Sequence, residues 1–118
     1  MKRENRKTLY KKLDKLFSQY IRKRDGKCLK CSRTDTLQCA HIAGRRNLAG
    51  RWNEYNAITM CYTCHLRWSH QEPLEFAEWL KKEYPKFYET AKEVRRTTVK
   101  NLDLKELVNY YQSKYAEL

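Results

Sequence analysis

Two Cys-x-x-Cys pairs, Cys28/Cys31 and Cys61/Cys64, enclose a stretch carrying His41 and Asn56, and His65 follows the last cysteine directly. Each short Cys-x-x-Cys turn aims two sulfurs at one point, so two such turns supply the four thiolates of a tetrahedral structural zinc site. Four thiolates leave no position open for a substrate, so this metal would brace rather than react. The histidines offer different chemistry. His41 suits a general base if a second group holds its tautomer, and Asn56 suits that task through its amide or by tightening the loop. A divalent ion held by His65 would act as a Lewis acid on a phosphate. The fifth cysteine, Cys39, reads as a space-filling thiol on a strand, with metal binding as the alternative.

These residues need elements to hold them. From Thr8 to Arg24, Leu9, Leu13, Leu16, Phe17, Tyr20 and Ile21 recur at the spacing of one α-helical face. Lys11, Lys12, Lys15, Arg22, Lys23 and Arg24 fill the outward arc, and Asp25-Gly26 stops the helix. Thr36–Ile42 and Asn56–Cys61 read as two antiparallel strands, with Leu37, Cys39 and His41 on one side of the first. Between them, Ala43–Asn53 reads as a loop bearing Arg45, Arg46 and Arg51, whose guanidinium forks suit phosphate oxygens, with pairing to an acid such as Glu54 as the alternative. Trp52 reads as the core anchor of that loop. A helix should start at Tyr62, others at Pro73 and Pro85, and a last one after Asn101 or Asp103. The fold class is α+β, read as one domain: a basic N-terminal helix over 1–27, a zinc-braced core over 28–70 and a helical extension over 71–118.

The chain has 118 residues and a net charge of +12, unevenly placed. Residues 1–33 hold 13 Lys or Arg against 3 acids, whereas residues 71–118 hold 9 of each. That asymmetry fits a polyanion-facing surface on a neutral scaffold, which points to nucleic acid as the partner. No apolar run approaches the roughly 20 residues of a membrane span, so no membrane partner is expected. Met1–Asn5 has no apolar segment behind its charges, so no secretory leader is expected. Paired, reduced thiols fit an intracellular, cytoplasmic setting.

The words Gln38-Cys39-Ala40-His41-Ile42, Gly44-Arg45-Arg46, Arg51-Trp52, Asn56-Ala57 and Cys61-Tyr62-Thr63-Cys64-His65, continued by Trp68, His70 and Pro73-Leu74-Glu75, resemble the HNH (ββα-metal, His-Me finger) endonucleases. The nearer likeness is to the phage-encoded type that includes NinG-like recombination proteins, and it covers roughly residues 17–82. The resemblance implies a ββα-metal centre with His41 as general base, Asn56 orienting and His65 binding magnesium or manganese. It implies cleavage or nicking of DNA in a bacterial host or phage-infected cell. In many HNH proteins an acidic residue or a second histidine precedes the base as a metal ligand, and here that position is Ala40. His70 is the candidate replacement; an exposed helix histidine is the alternative. Five residues beyond His65 on an α-helix places it about 140° away, so a kink or helix end is required. Two other readings remain: a non-catalytic zinc-knuckle nucleic-acid-binding protein in a recombination or packaging complex, and a protein–protein adaptor in such a complex.

Overall fold

The computed structural model describes residues 5–118. Lys2 and Arg3 of the basic N-terminal stretch, and most of the segment read for a leader, lie outside the described residues. Helix α1 (Arg6–Asp25) starts where the Asn5 side chain accepts a hydrogen bond from the Thr8 N–H at 2.8 Å. It ends at Gly26, whose φ of +71° suits glycine and lets its N–H cap the Arg22 carbonyl. The apolar face buries Leu13, Phe17, Tyr20 and Ile21, as its spacing requires.

Strands β1 (Leu37–His41) and β2 (Ala57–Cys61) pair antiparallel, with Leu37 opposite Cys61 and His41 opposite Ala57. All five residues of β2 are buried, which requires cover on both faces. Ala57 joins the cluster beneath α1, and Thr59 turns its hydroxyl to the Ile21 carbonyl at 3.0 Å. Ile58 and Met60 face the opposite way, toward Leu80 and a group of aromatic side chains. The sheet is therefore the middle layer between α1 and the helices that follow.

The free edge of β2 is closed by the end of α1 and the first cysteine turn rather than by a third strand. Asp25 accepts from the Thr59 N–H at 2.8 Å, and the Leu29 N–H donates to the Thr59 carbonyl at 3.0 Å. Arg24 was expected on the outward cationic arc, and here the structure differs. Its guanidinium pairs with Asp25 at 2.9 and 3.1 Å and donates to the Glu54 and Ala57 carbonyls at 2.6 and 2.9 Å. Carbonyls leading into an edge strand need donors, and a guanidinium fork supplies several from one side chain.

The excursion between the strands is more ordered than a plain loop. It contains one helical turn, α2 (Leu48–Arg51), capped by Asn47, then a 3₁₀ turn over Glu54–Asn56 capped by Asn53. Beyond β2, Thr63–Ser69 is a π-helix, in which the His70 N–H reaches back five residues to the His65 carbonyl. Pro73 and Pro85 occupy the first turns of α3 (Pro73–Glu83) and α4 (Pro85–Arg96). Asp103 caps α5 (Leu104–Glu117) by accepting from the Glu106 N–H at 3.1 Å. Helix α5 returns to α1, where Tyr111 packs edge-on against Phe17 and its hydroxyl donates to the Trp52 carbonyl. Among the described residues no helix is long and apolar enough to cross a membrane.

Gly50 sits where α2 meets both Asn56 and α4. A β-carbon there would lie 2.5 Å from Asn56 Nδ2 and 2.6 Å from Val94 Cγ1. Asn56 is fully buried and hydrogen-bonded, so it cannot yield cheaply. Gly50→Ala should cost about 1–3 kcal/mol of overpacking. Gly44→Ala, with nothing within 4 Å of the added carbon, should stay within about 0.5 kcal/mol of the parent. Urea unfolding of the two variants checks the contrast.

Candidate metal and catalytic site

The sulfurs of Cys28, Cys31, Cys61 and Cys64 all lie within 4.8 Å of one another, and Cys31 Sγ is 3.7 Å from Cys61 Sγ. The first turn is closed by the Ser32 N–H on the Cys28 carbonyl at 2.9 Å, with Ser32 at a φ of +68°. Burial works to raise the Cys28 thiol, but backbone N–H groups of Cys31, Cys61 and Lys30 aimed at it bring it down to about 7. Cys64 is pushed up by burial and by the three neighbouring sulfurs. Several thiolates can share so small a space only around a cation, and four sulfurs at this spacing could hold a structural metal such as zinc. Cys39 is outside this group. It packs half-buried against α1, and burial raises its thiol to about 12.

The cysteines lie at one end of the hairpin and His41 at the other. His41 Nε2 is 2.8 Å from the Arg51 carbonyl. A carbonyl only accepts, so Nε2 carries the proton and Nδ1 keeps a lone pair. The ring stacks on Phe17 at 5.6 Å between centroids. Burial lowers its pKa below the ordinary 6.5, with smaller contributions in both directions from the Arg51 carbonyl and the nearby charges.

Asn56 does not touch His41. Its amide accepts from the Ala43 N–H at 2.9 Å and donates to the Ala43 and Gly50 carbonyls at 2.9 and 3.0 Å. Of the two roles open to it in the sequence, the structure gives it the second, tightening the excursion that carries Arg51. The orienting group for His41 is thus a backbone carbonyl, which no residue-type pattern could reveal.

Arg51 was expected to face phosphate. Instead it makes a two-pronged pair with Asp14 at 3.0 and 2.7 Å, and its side chain is only 17% exposed. Asp14 also accepts from Trp52 Nε1 at 3.0 Å. Burial works to raise the Asp14 carboxyl, but Arg51, Trp52 and Arg45 together hold it below the usual carboxylate range. Glu54, the acid weighed as a partner for these arginines, accepts instead from the Tyr20 and Tyr110 hydroxyls at 3.0 and 2.6 Å. Arg45 stays 60% exposed, 3.7 Å from Asp14, and Arg46 is exposed on the same loop. Asp14 was missed because its partners lie 37 and 38 residues away.

His65 Nδ1 lies 2.7 Å from Gln38 Oε1, an acceptor, so the proton sits on Nδ1 and Nε2 presents a lone pair. Gln38 on β1 therefore orients this ring from outside, as groups behind metal-binding imidazoles do. Burial lowers the His65 pKa, and the neighbouring histidines lower it further. The five-residue spacing to His70 is accommodated by the π-helix, whose wider turn brings the two rings to 4.6 Å between centroids. His70 itself is exposed. Among the described residues, the cysteines are the one group of three or more His, Cys, Asp or Glu donors close enough to share an ion. The histidine site thus offers two imidazoles at most.

His41, His65 and His70 border two depressions. One, about 400 Å³, runs toward α1 and includes Asp14, Ser18 and Arg45. The other, about 360 Å³, runs between α3 and α4. Comparison of the chain with protein-family models, curated proteins and solved structures returns no match.

The cysteine cluster makes a prediction of its own. Purified protein should carry about one zinc per chain, because four thiolates form a closed tetrahedral site. Cys28→Ser and Cys64→Ser should each lose the metal and most of the cooperative unfolding transition. Cys39→Ser should keep the metal and cost about 1 kcal/mol. Elemental analysis paired with thermal melts distinguishes the three.

Proposed function

We propose that the chain is a metal-dependent DNA endonuclease of the HNH, ββα-metal type, braced by structural zinc at the four cysteines. One observation carries the reading. Two histidines beside the same cleft are held in complementary tautomers, His41 with Nδ1 free and His65 with Nε2 free. Both rings border that cleft, and each keeps one nitrogen outside its positioning hydrogen bond, which a general base and a metal ligand each require.

In this reading His41 Nδ1 takes a proton from water as the water oxygen bonds to phosphorus, and the bond from phosphorus to the leaving sugar oxygen breaks. Burial keeps His41 neutral and so able to accept that proton. His65, with His70 beside it, would hold a divalent ion. Such an ion neutralises charge on the phosphate and the leaving oxygen. Arg45 and Arg46 would meet the flanking phosphates, while Arg51 positions His41 through its carbonyl and its pair with Asp14. Cations in the N-terminal third would add sequence-independent attraction to the DNA. A phage-related recombination or packaging setting, with protein partners there, belongs to the same proposal.

The ligand set bears on the metal. Ala40 offers no donor, and neutral imidazoles suit manganese or a later transition metal better than magnesium, which favours carboxylate oxygen. Plasmid nicking should therefore need less manganese than magnesium and stop in EDTA. Gln38→Ala should raise the manganese requirement about 10–100-fold without unfolding the chain, the usual cost of losing a group behind a metal-bound histidine.

His41→Ala should abolish nicking and leave DNA binding and the circular dichroism spectrum intact, because a base acts on the transition state. Where the parent cuts, kcat/KM should rise with pH and reach half its plateau below 6.5, since burial depresses His41 from that value. The same shift means that stability linked to His41 is present above pH 6.5 and is lost as pH falls through the lower folded value. Equal nicking by parent and His41→Ala, or a limb centred above 6.5, would count against His41 as the base.

A further inference from the structure

The cleft between α3 and α4 has two characters. Its mouth carries His41, His65 and His70, together with Lys92 and Arg95 of α4. Its walls are apolar, built from Ile42, Phe76, Ala77, Leu80, Tyr88 and Ala91. The walls are well packed. Phe76, Trp68 and Trp79 touch one another pairwise, with ring centroids 5.4 to 6.0 Å apart, and Leu80 and Ala91 belong to the buried cores. At about 360 Å³ the space lies within the range of clefts that take a small planar ligand, roughly 300–1,000 Å³.

Two features of α4 set what could enter. Arg95 is exposed, and no acidic group pairs with it among the described residues. Lys92 reaches the same mouth, with its ammonium 3.4 Å from Glu89 and 5.3 Å from the Tyr88 ring centre. The C-terminal half is neutral in sum, yet these cations line one of the two depressions that share the three histidines, and Arg45 lines the other. A sugar-phosphate strand crossing the histidines would meet cations on both sides.

A paired base, stacked in duplex, cannot leave the helix to fill an apolar recess without losing its stacking and pairing, whereas an unpaired base gives up much less. We propose that this cleft receives one unpaired nucleobase next to the phosphate held at the histidines. Lys92 and Arg95 then contact that nucleotide's own phosphate. The preferred substrate is DNA with an unpaired nucleotide, as in a single strand, bulge or flap, rather than continuous duplex. This deepens the nuclease reading and rests on it.

Fluorescence of 2-aminopurine tests the claim without requiring cleavage. The full zinc-loaded chain is titrated, with no added divalent ion, against three oligonucleotides: continuous duplex, the same duplex with one bulged 2-aminopurine, and single strand. Binding to the bulge and the single strand should be about tenfold tighter than to the duplex, as one captured base provides. The probe's fluorescence should change on capture. Ala77→Phe, which fills the recess, should bring both affinities down to that of duplex. Lys92→Gln with Arg95→Gln should weaken the unpaired DNAs more than the duplex. Equal affinity for all three DNAs with unchanged probe fluorescence would overturn the base pocket and leave the nuclease reading standing. Failure to bind any of them would overturn both.

Discussion

A buried amide must find its hydrogen-bond partners inside the protein, and Asn56 finds all of its partners on the excursion between the two strands. It is fully buried at the start of β2, takes the Ala43 N–H, and gives its own two protons to the carbonyls of Ala43 and Gly50. That fixes the length and path of the chain from β1 out to α2 and back. The next carbonyl along, that of Arg51, is thereby set where His41 can donate to it. Asp14 clamps the same turn from α1 through Arg51 and Trp52. His41's protonation pattern thus depends on an amide it never touches and on a carboxylate from another helix.

The hairpin is held differently at its two ends. At the Leu37–Cys61 end the constraint comes from sulfur: two tight turns deliver four thiols to one place. At the His41–Ala57 end it comes from nitrogen and oxygen, through hydrogen bonds to a buried amide. The π-helix joins the two. It leaves the cysteine cluster at Cys64 and carries His65 back along β1 to Gln38, one residue pair inside the strand's cysteine-side end. Lys30, in the first cysteine turn, lies 4.7 Å from the Trp68 ring centre and holds that turn against the same segment. Metal bound at the cysteines would therefore stiffen the position of His65 without contacting it.

What could be read from the sequence was local. The Cys-x-x-Cys turns, the apolar stripe of α1, the prolines opening α3 and α4 and the Asp103 cap all involve residues a few positions apart. What could not be read involves partners far apart in the chain, or backbone atoms. Arg24 and Arg51 looked like surface cations because their partners, Glu54 and Ala57 for one and Asp14 for the other, are 30 to 37 residues distant. Asn47 and Asn53 sat in an apparent loop, though each caps a short turn. Gln38 has no task legible from its neighbours in the sequence, and only the path of β1 sets it beside His65. The last 48 residues sum to zero charge, which conceals that Lys92 and Arg95 share one cleft.

The π-helix has a further meaning for how this chain tolerates changes in length. A π turn is, in effect, an α-helix that has accepted one extra residue and widened to contain it. In a long continuous helix such an insertion rotates everything downstream by about 100°, and the far contacts are lost. Here the segment ends within a few residues, and Pro73 begins α3 with a fresh phase. The register error is confined to the stretch from Thr63 to Glu72. The spacing between the two histidines is therefore set inside this short stretch, which Trp68 ties to Phe76 and Trp79. The turn works as an expansion joint between the hairpin with its cysteine cluster and the helices that follow.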